Sequence, residues 1–82
     1  MSVRLLVHFE DKVAKFRFNL NATCGSVKWI ISRDLVHHPP HKFDLYYNDV
    51  GGPYGHERMT FLQRTLMAYR AKDDDEIFVK LK

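Results

Sequence analysis

Residues 42–82, KFDLYYNDVGGPYGHERMTFLQRTLMAYRAKDDDEIFVKLK, carry the reading that decides the fold. Phe43, Leu45 and Tyr47 alternate with Asp44 and Tyr46, which is the period of a strand with one buried face. Gly51, Gly52 and Gly55 around Pro53 mark a long turn region. Residues 59–62 are expected to form a short strand, and residues 64–69 a single helical or 3₁₀ turn ending on the apolar pair Leu66 and Tyr69. The acidic run Asp73, Asp74, Asp75 and Glu76 reads as a solvated turn. Ile77, Val79 and Leu81 then alternate in a terminal strand.

The preceding sequence supplies the partners for these strands. Val3, Leu5, Val7 and Phe9 fall on one face of a strand, with Arg4, Leu6 and His8 on the other. A three-residue polar turn, Glu10, Asp11 and Lys12, leads into a second run in which Ala14, Phe16, Phe18 and Leu20 repeat the pattern. Two such runs predict a β-hairpin with one buried face. Asn21 and Thr23 are candidate helix caps, since their side-chain oxygens can accept from the unpaired amides of a first turn. Val27, Ile30, Ile31 and Leu35 then form an apolar stripe that Cys24 begins. Gly25 weakens the first turn slightly, and Pro39 and Pro40 stop the helix by His38. The order is hairpin, helix, strand, short elements, strand. It predicts an α+β roll of the β-grasp type, a mixed sheet of about four to five strands around one main helix, with the last strand beside the first.

At 82 residues the chain is expected to be a single domain, 1–82. That is close to the smallest size at which one core suffices, because such a domain buries roughly 60% of its unfolded surface. Thirteen basic and ten acidic residues give a net charge of +3, and the charges are interleaved. This is a mildly basic surface and not a nucleic-acid stripe. The single cysteine, Cys24, has no partner for an internal disulfide, which fits a reducing compartment. No apolar run approaches a membrane span, and the N-terminus lacks the pattern of a signal peptide. The expectation is a soluble intracellular monomer.

The residues offer no catalytic set and no cofactor is expected. Cys24 lies on the core side of the helix start and reads as a small buried hydrophobe. His37, His38 and His41 cluster around the two prolines, but without the paired ligands of a structural zinc site they read as loop histidines, so no metal is expected. The acidic run lacks the alternating oxygens and central glycine of a calcium loop. Gly51 and Gly52 lack the lysine of a phosphate-binding loop and read as turn residues.

Two surfaces remain as candidates for binding. Tyr46 points away from Leu45 and Tyr47, Phe78 points away from Ile77 and Val79, and Leu6 and His8 project from the first strand. Leu6, His8, Tyr46, Phe78 and Lys80 are therefore expected on one outer face of the sheet, either as scattered surface residues or as an apolar protein-binding patch with a basic rim. Trp29 lies off the helix stripe and is expected to face partly outward. The second surface is the edge of strand two, with Lys12, Lys15 and Arg17 and with Arg33 or Lys28 of the helix expected nearby. Such an edge either blocks aggregation or adds to the sheet of an acidic partner.

The stretch Leu45, Tyr46, Tyr47, Asn48, Asp49, followed by Gly52 through Met59, by Thr65, Leu66 and Tyr69, and by the Asp73 to Val79 ending, resembles the ubiquitin-like domain of the tubulin-folding cofactor E and cofactor-E-like family. Val7 to Asp11 is also similar to that domain's first hairpin. The resemblance implies a non-catalytic ubiquitin-like interaction module. In that family the domain follows a leucine-rich repeat region, and the proteins act in the folding, assembly or turnover of tubulin in the cytoplasm, associated with the cytoskeleton. The partners implied are other tubulin cofactors, tubulin or proteasome subunits. The ending at Lys82, without a Gly-Gly pair, sets the expectation that the module is recognised and not conjugated. The alternative is a Ras-association or FERM-type ubiquitin-like module that meets a small GTPase or an acidic membrane surface through the basic edge. A front-to-back self-assembling β-grasp domain would need an acidic loop earlier than Asp73 to Glu76.

Overall fold

A computed structural model describes residues 1–48 and 56–82. The elements are β1 (Ser2–Phe9), β2 (Lys12–Asn19), α1 (Cys24–Ile31), β3 (Phe43–Asn48), β4 (His56–Arg58) and β5 (Asp75–Leu81). A π-helical turn, Ser32–Val36, and a 3₁₀ turn, Pro40–Lys42, connect α1 to β3. The strands form one mixed sheet in the order β2-β1-β5-β3-β4, with β5 parallel to β1 and antiparallel to β3. This is the β-grasp roll read from the periodicity.

The alternation of β1 decides which way the sheet curls. Val3, Leu5, Val7 and Phe9 are buried, whereas Arg4, Leu6 and His8 are only partly so. Val27 and Ile31 from α1, Phe43, Leu45 and Tyr47 from β3, and Ile77 from β5 complete the same core. Each fully buried aliphatic side chain there contributes about 1.5–3 kcal/mol. Cys24 is buried at the start of the helix stripe, and Ile30 and Leu35 pack against the core from its margin. Thr23 caps the helix by accepting from the Ser26 amide at 3.2 Å. Asn21 caps nothing in α1; its own amide donates to Asn19 Oδ1. The chain leaves the helical region at His37, whose left-handed φ of 59° closes the π-helical turn before the prolines.

Three expectations are corrected. The first turn has two residues and not three: Lys12 pairs with Phe9 inside the ladder, and Glu10 takes a φ of 57° to close it. The short strand lies at His56–Arg58, before residues 59–62. The Met59 amide still donates to Leu45 O at 2.8 Å and its side chain is buried, but the chain then leaves the sheet. Its backbone bonds instead to the segment that opens the helix: Gly25 N donates to Leu62 O, Cys24 N to Arg64 O, Leu66 N to Ala22 O and Met67 N to Leu20 O, all within 3.0 Å. A side chain at Gly25 would place its Cβ 3.3 Å from Leu62 O, so the small residue permits this close approach. Residues 65–70 turn with i to i+3 bonds, from Ala68 N to Thr65 O and from Arg70 N to Met67 O, as the sequence led one to expect. The glycine-rich turn expected around Pro53 lies outside the described residues.

The third correction concerns the acidic run. Asp73 and Asp74 are exposed, with Asp73 Oδ1 accepting the Arg4 amide at 2.8 Å and Asp74 pairing with the Arg4 guanidinium at 2.9 Å. Asp75 is wholly buried. Its Oδ2 accepts from the Tyr47 hydroxyl and from the Lys72 amide, the latter at 3.1 Å. Asp75 pairs with Leu5 across β1 and β5, so the strand register carries its side chain to the inner face. A tyrosine reaching back from β3 makes that placement tolerable, because a buried carboxylate needs donors.

Candidate protein-binding face

The outer face of the sheet is set by the same register. Across it runs one row, Val13 of β2, His8 of β1, Phe78 of β5, Tyr46 of β3 and Arg58 of β4, each the lateral neighbour of the next. The His8 and Phe78 rings are stacked, with centroids 4.4 Å apart and planes 15° from parallel. His8 Nε2 lies 2.9 Å from Glu76 Oε1, one step along β5, which fixes the imidazole over the neighbouring ring. Tyr46, Phe78, Val79 and Lys80 line a shallow groove of about 430 Å³.

All five residues proposed for this face project from it. His8, Phe78 and Tyr46 are brought together in the central row. Leu6 lies in the row on one side, between Lys15 and Glu76, and Lys80 lies on the other side, opposite Asp44. Four residues of strand separate the Leu6 and Lys80 rows, about 13 Å at the rise of a β-strand. Leu6 therefore borders the row at one end, and Lys80 walls the groove at the other.

The basic edge is assembled only in part. β2 is the edge strand, and Lys12, Lys15 and Arg17 are exposed along it, with Arg17 Nη1 donating to Ser2 Oγ at 3.2 Å. Lys15 and Arg17 alternate with Ala14, Phe16 and Phe18, whose side faces the helix, so they project from the opposite face to the one α1 covers. Arg33 continues from α1 and is held by its neighbour Asp34 at 2.8 Å. Lys28 stands over the Phe43 ring at 5.4 Å, at the β3 side of the sheet. The helix cations therefore do not join the β2 edge. Trp29 is 64% exposed, as its position off the stripe required, and with Ser26, Ile30 and Arg33 it lines a second hollow of about 250 Å³.

The sequence reading missed the residues that bound the groove on its β4 side. Arg58 Nη2 approaches Asp44 Oδ1 at 3.5 Å and Lys82 Nζ reaches the same oxygen at 3.9 Å. The period-two pattern of β3 placed Asp44 on the face of Tyr46, which was the available signal. Arg58 was hidden because its stretch read as turn. His37, His38 and His41 are exposed, and among the described residues no three histidine, cysteine, aspartate or glutamate side chains gather to hold a metal. Among the described residues no helix is long and apolar enough to cross a membrane.

Comparison with known proteins gives this face a setting. No protein-family model matches the chain. Tubulin-specific chaperone cofactor E-like protein of Rattus norvegicus is 35% identical over 81 residues, 99% of this chain, and that of Homo sapiens is 33% identical over the same length. The chain is a ubiquitin-like domain related to the tubulin cofactor E-like proteins. It spans 19% of the length of each of these relatives. Among solved structures, the C-terminal ubiquitin-like domain of mouse tubulin-specific chaperone e superposes with a TM-score of 0.85, covering 99% of this chain and 87% of that one at 18% identity. A ubiquitin-like domain from Arabidopsis thaliana gives 0.81 over 99% of this chain and 78% of that one at 25% identity. The mouse domain supports the fold, and the cofactor-E-like sequences support the kinship.

Proposed function

We propose that this ubiquitin-like domain is a non-catalytic docking module of a tubulin-cofactor type of protein, and that it engages a partner protein through the outer face of β1, β5 and β3. The observation that carries this reading is the His8, Phe78 and Tyr46 row beside an open groove. Aromatic side chains of this kind anchor interfaces because they bury a large area with few torsions to freeze. The relatives are named as tubulin-specific chaperones, which makes tubulin and other tubulin cofactors the first partners to test, with proteasome subunits next. Such a role belongs in the cytoplasm, beside the cytoskeleton.

The test is a titration of isotope-labelled protein with tubulin, with individual tubulin cofactors, with a proteasomal ubiquitin receptor and with a GTP-loaded Ras-family protein. Shift changes centred on Leu6, His8, Tyr46 and Phe78 with one of the first three support the proposal. Changes confined to Lys12, Lys15 and Arg17 with the GTPase overturn it in favour of the edge strand.

A further inference from the structure

The groove is charged asymmetrically, and the asymmetry says what kind of segment fits it. Arg58, Lys80 and Lys82 flank a single carboxylate, Asp44, among the described side chains. Arg58 and Lys82 both approach the same Asp44 oxygen, at 3.5 and 3.9 Å. Lys80 is the exposed lateral partner of Asp44. Lys28 lies near enough to feel the others: burial pushes its ammonium group below the ordinary lysine value, Asp44 opposes this, and Lys82 and Arg58 push it further down. One carboxylate cannot neutralise three cations, so the described side chains of this corner carry an excess of positive charge. At the opposite end of the sheet the Arg4 guanidinium is matched by Asp74 at 2.9 Å. Lys15 and Arg17 stand on β2, across β1 from the groove.

Resting on the reading of the outer face as a docking surface, we infer that its occupant is an acidic peptide segment of a partner protein, seated with an apolar side chain on Tyr46 and Phe78 and with carboxylates directed to Lys80, Lys82 and Arg58. The apolar groove selects a peptide over a bare anion, because only a segment with both parts satisfies the rings and the charges together. The excess charge also steers encounter, so binding falls as salt rises.

Selection from a random peptide library on the 82-residue chain tests this. The expected binders carry several carboxylates next to an aliphatic or aromatic residue. Against the selected peptide, Lys80→Glu with Lys82→Glu is expected to weaken binding about tenfold or more at low salt, while Lys15→Glu with Arg17→Glu changes it little. Lys80 and Lys82 are exposed, so the pair of reversals leaves the circular dichroism spectrum intact. A library that yields neutral or basic binders, or none, overturns the inference. So do acidic binders that hold the reversed variant as tightly as the wild type, and so does equal uptake of the protein by anionic phosphatidylserine vesicles in place of peptide. Loss of binding in the charge-reversed variant with no loss in Phe78→Ala separates the two claims: the acidic ligand then stands and the aromatic docking face fails.

Discussion

Tyr46 and Tyr47 are consecutive residues of one strand with opposite environments. Tyr47 is buried, its ring 5.4 Å from that of Tyr69 and its hydroxyl donating to the buried carboxylate of Asp75. Tyr46 lies on the outer face beside Phe78, in a groove open to solvent. The same contrast holds on β5, where Ile77 is fully buried and Phe78 stacks on His8 outside. Aromatic residues on the inner face hold the roll together, and those on the outer face are the ones the proposed docking surface uses. Residue type does not distinguish the two uses; parity along the strand does.

Substitutions sharpen that contrast. The largest effect belongs to the core beneath the inner face: Ile31→Ala is expected to cost about 2–5 kcal/mol, a large share of the stability of so small a domain. Chemical denaturation measures it, and an unchanged midpoint would mean that α1 does not face the sheet as described. Tyr47→Phe should cost about 1–3 kcal/mol, because it keeps the ring but takes a donor from a buried carboxylate. If Tyr47→Phe proves neutral while Tyr46→Phe destabilises, the assignment of the two faces is reversed. Phe78→Ala is expected to lower stability by about 1 kcal/mol or less, yet to weaken partner binding at least severalfold in the titration described above. Melting of the domain in this variant would put Phe78 in the core.

The smallest effect is expected at the solvent rim. Hydrogen bonds from Arg33, and its charge, hold the Asp34 carboxyl below its ordinary range. A carboxylate with a depressed folded-state pKa adds stability above its unfolded value, and that stability is lost as pH falls through the folded value. The pair is exposed and screened, so Asp34→Asn should leave the melting temperature unchanged near neutral pH. The small contribution of the pair lies above the folded-state value and vanishes as acid protonates Asp34, so the two proteins converge at low pH. Asp75 and Asp34 thus form a second contrast, one carboxylate enclosed by a tyrosine and a backbone amide and the other paired in water.

Much of this was legible in the sequence because periodicity is a local property. The faces of β1, β2, β3 and β5 follow from alternation, and the helix follows from Cys24, Val27 and Ile31 behind the Thr23 cap. What escaped were consequences of distant partners. Asp75 looks like a third turn aspartate until Tyr47, 28 residues earlier, is seen to reach it. Residues 59–62 look like a strand, but past Met59 the chain leaves the sheet and Leu62 and Arg64 give their carbonyls to the amides that open α1. The candidate face divides in the same way. Its aromatic row was readable from parity, whereas the convergence of Arg58 and Lys82 on Asp44 depends on which strands became neighbours.

The position of β5 also has a consequence in time. Residues 75–81 come late in the sequence yet occupy the middle of the sheet, between β1 and β3. Until they are made, the first hairpin and β3 share no neighbour, and the outer row lacks Phe78 at its centre. Loop closure over most of the chain must precede the pairing that rewards it, which slows folding. A nascent chain short of β5 therefore has neither a complete core nor a complete outer row, so assembly of the sheet and completion of the proposed docking face arrive in a single event.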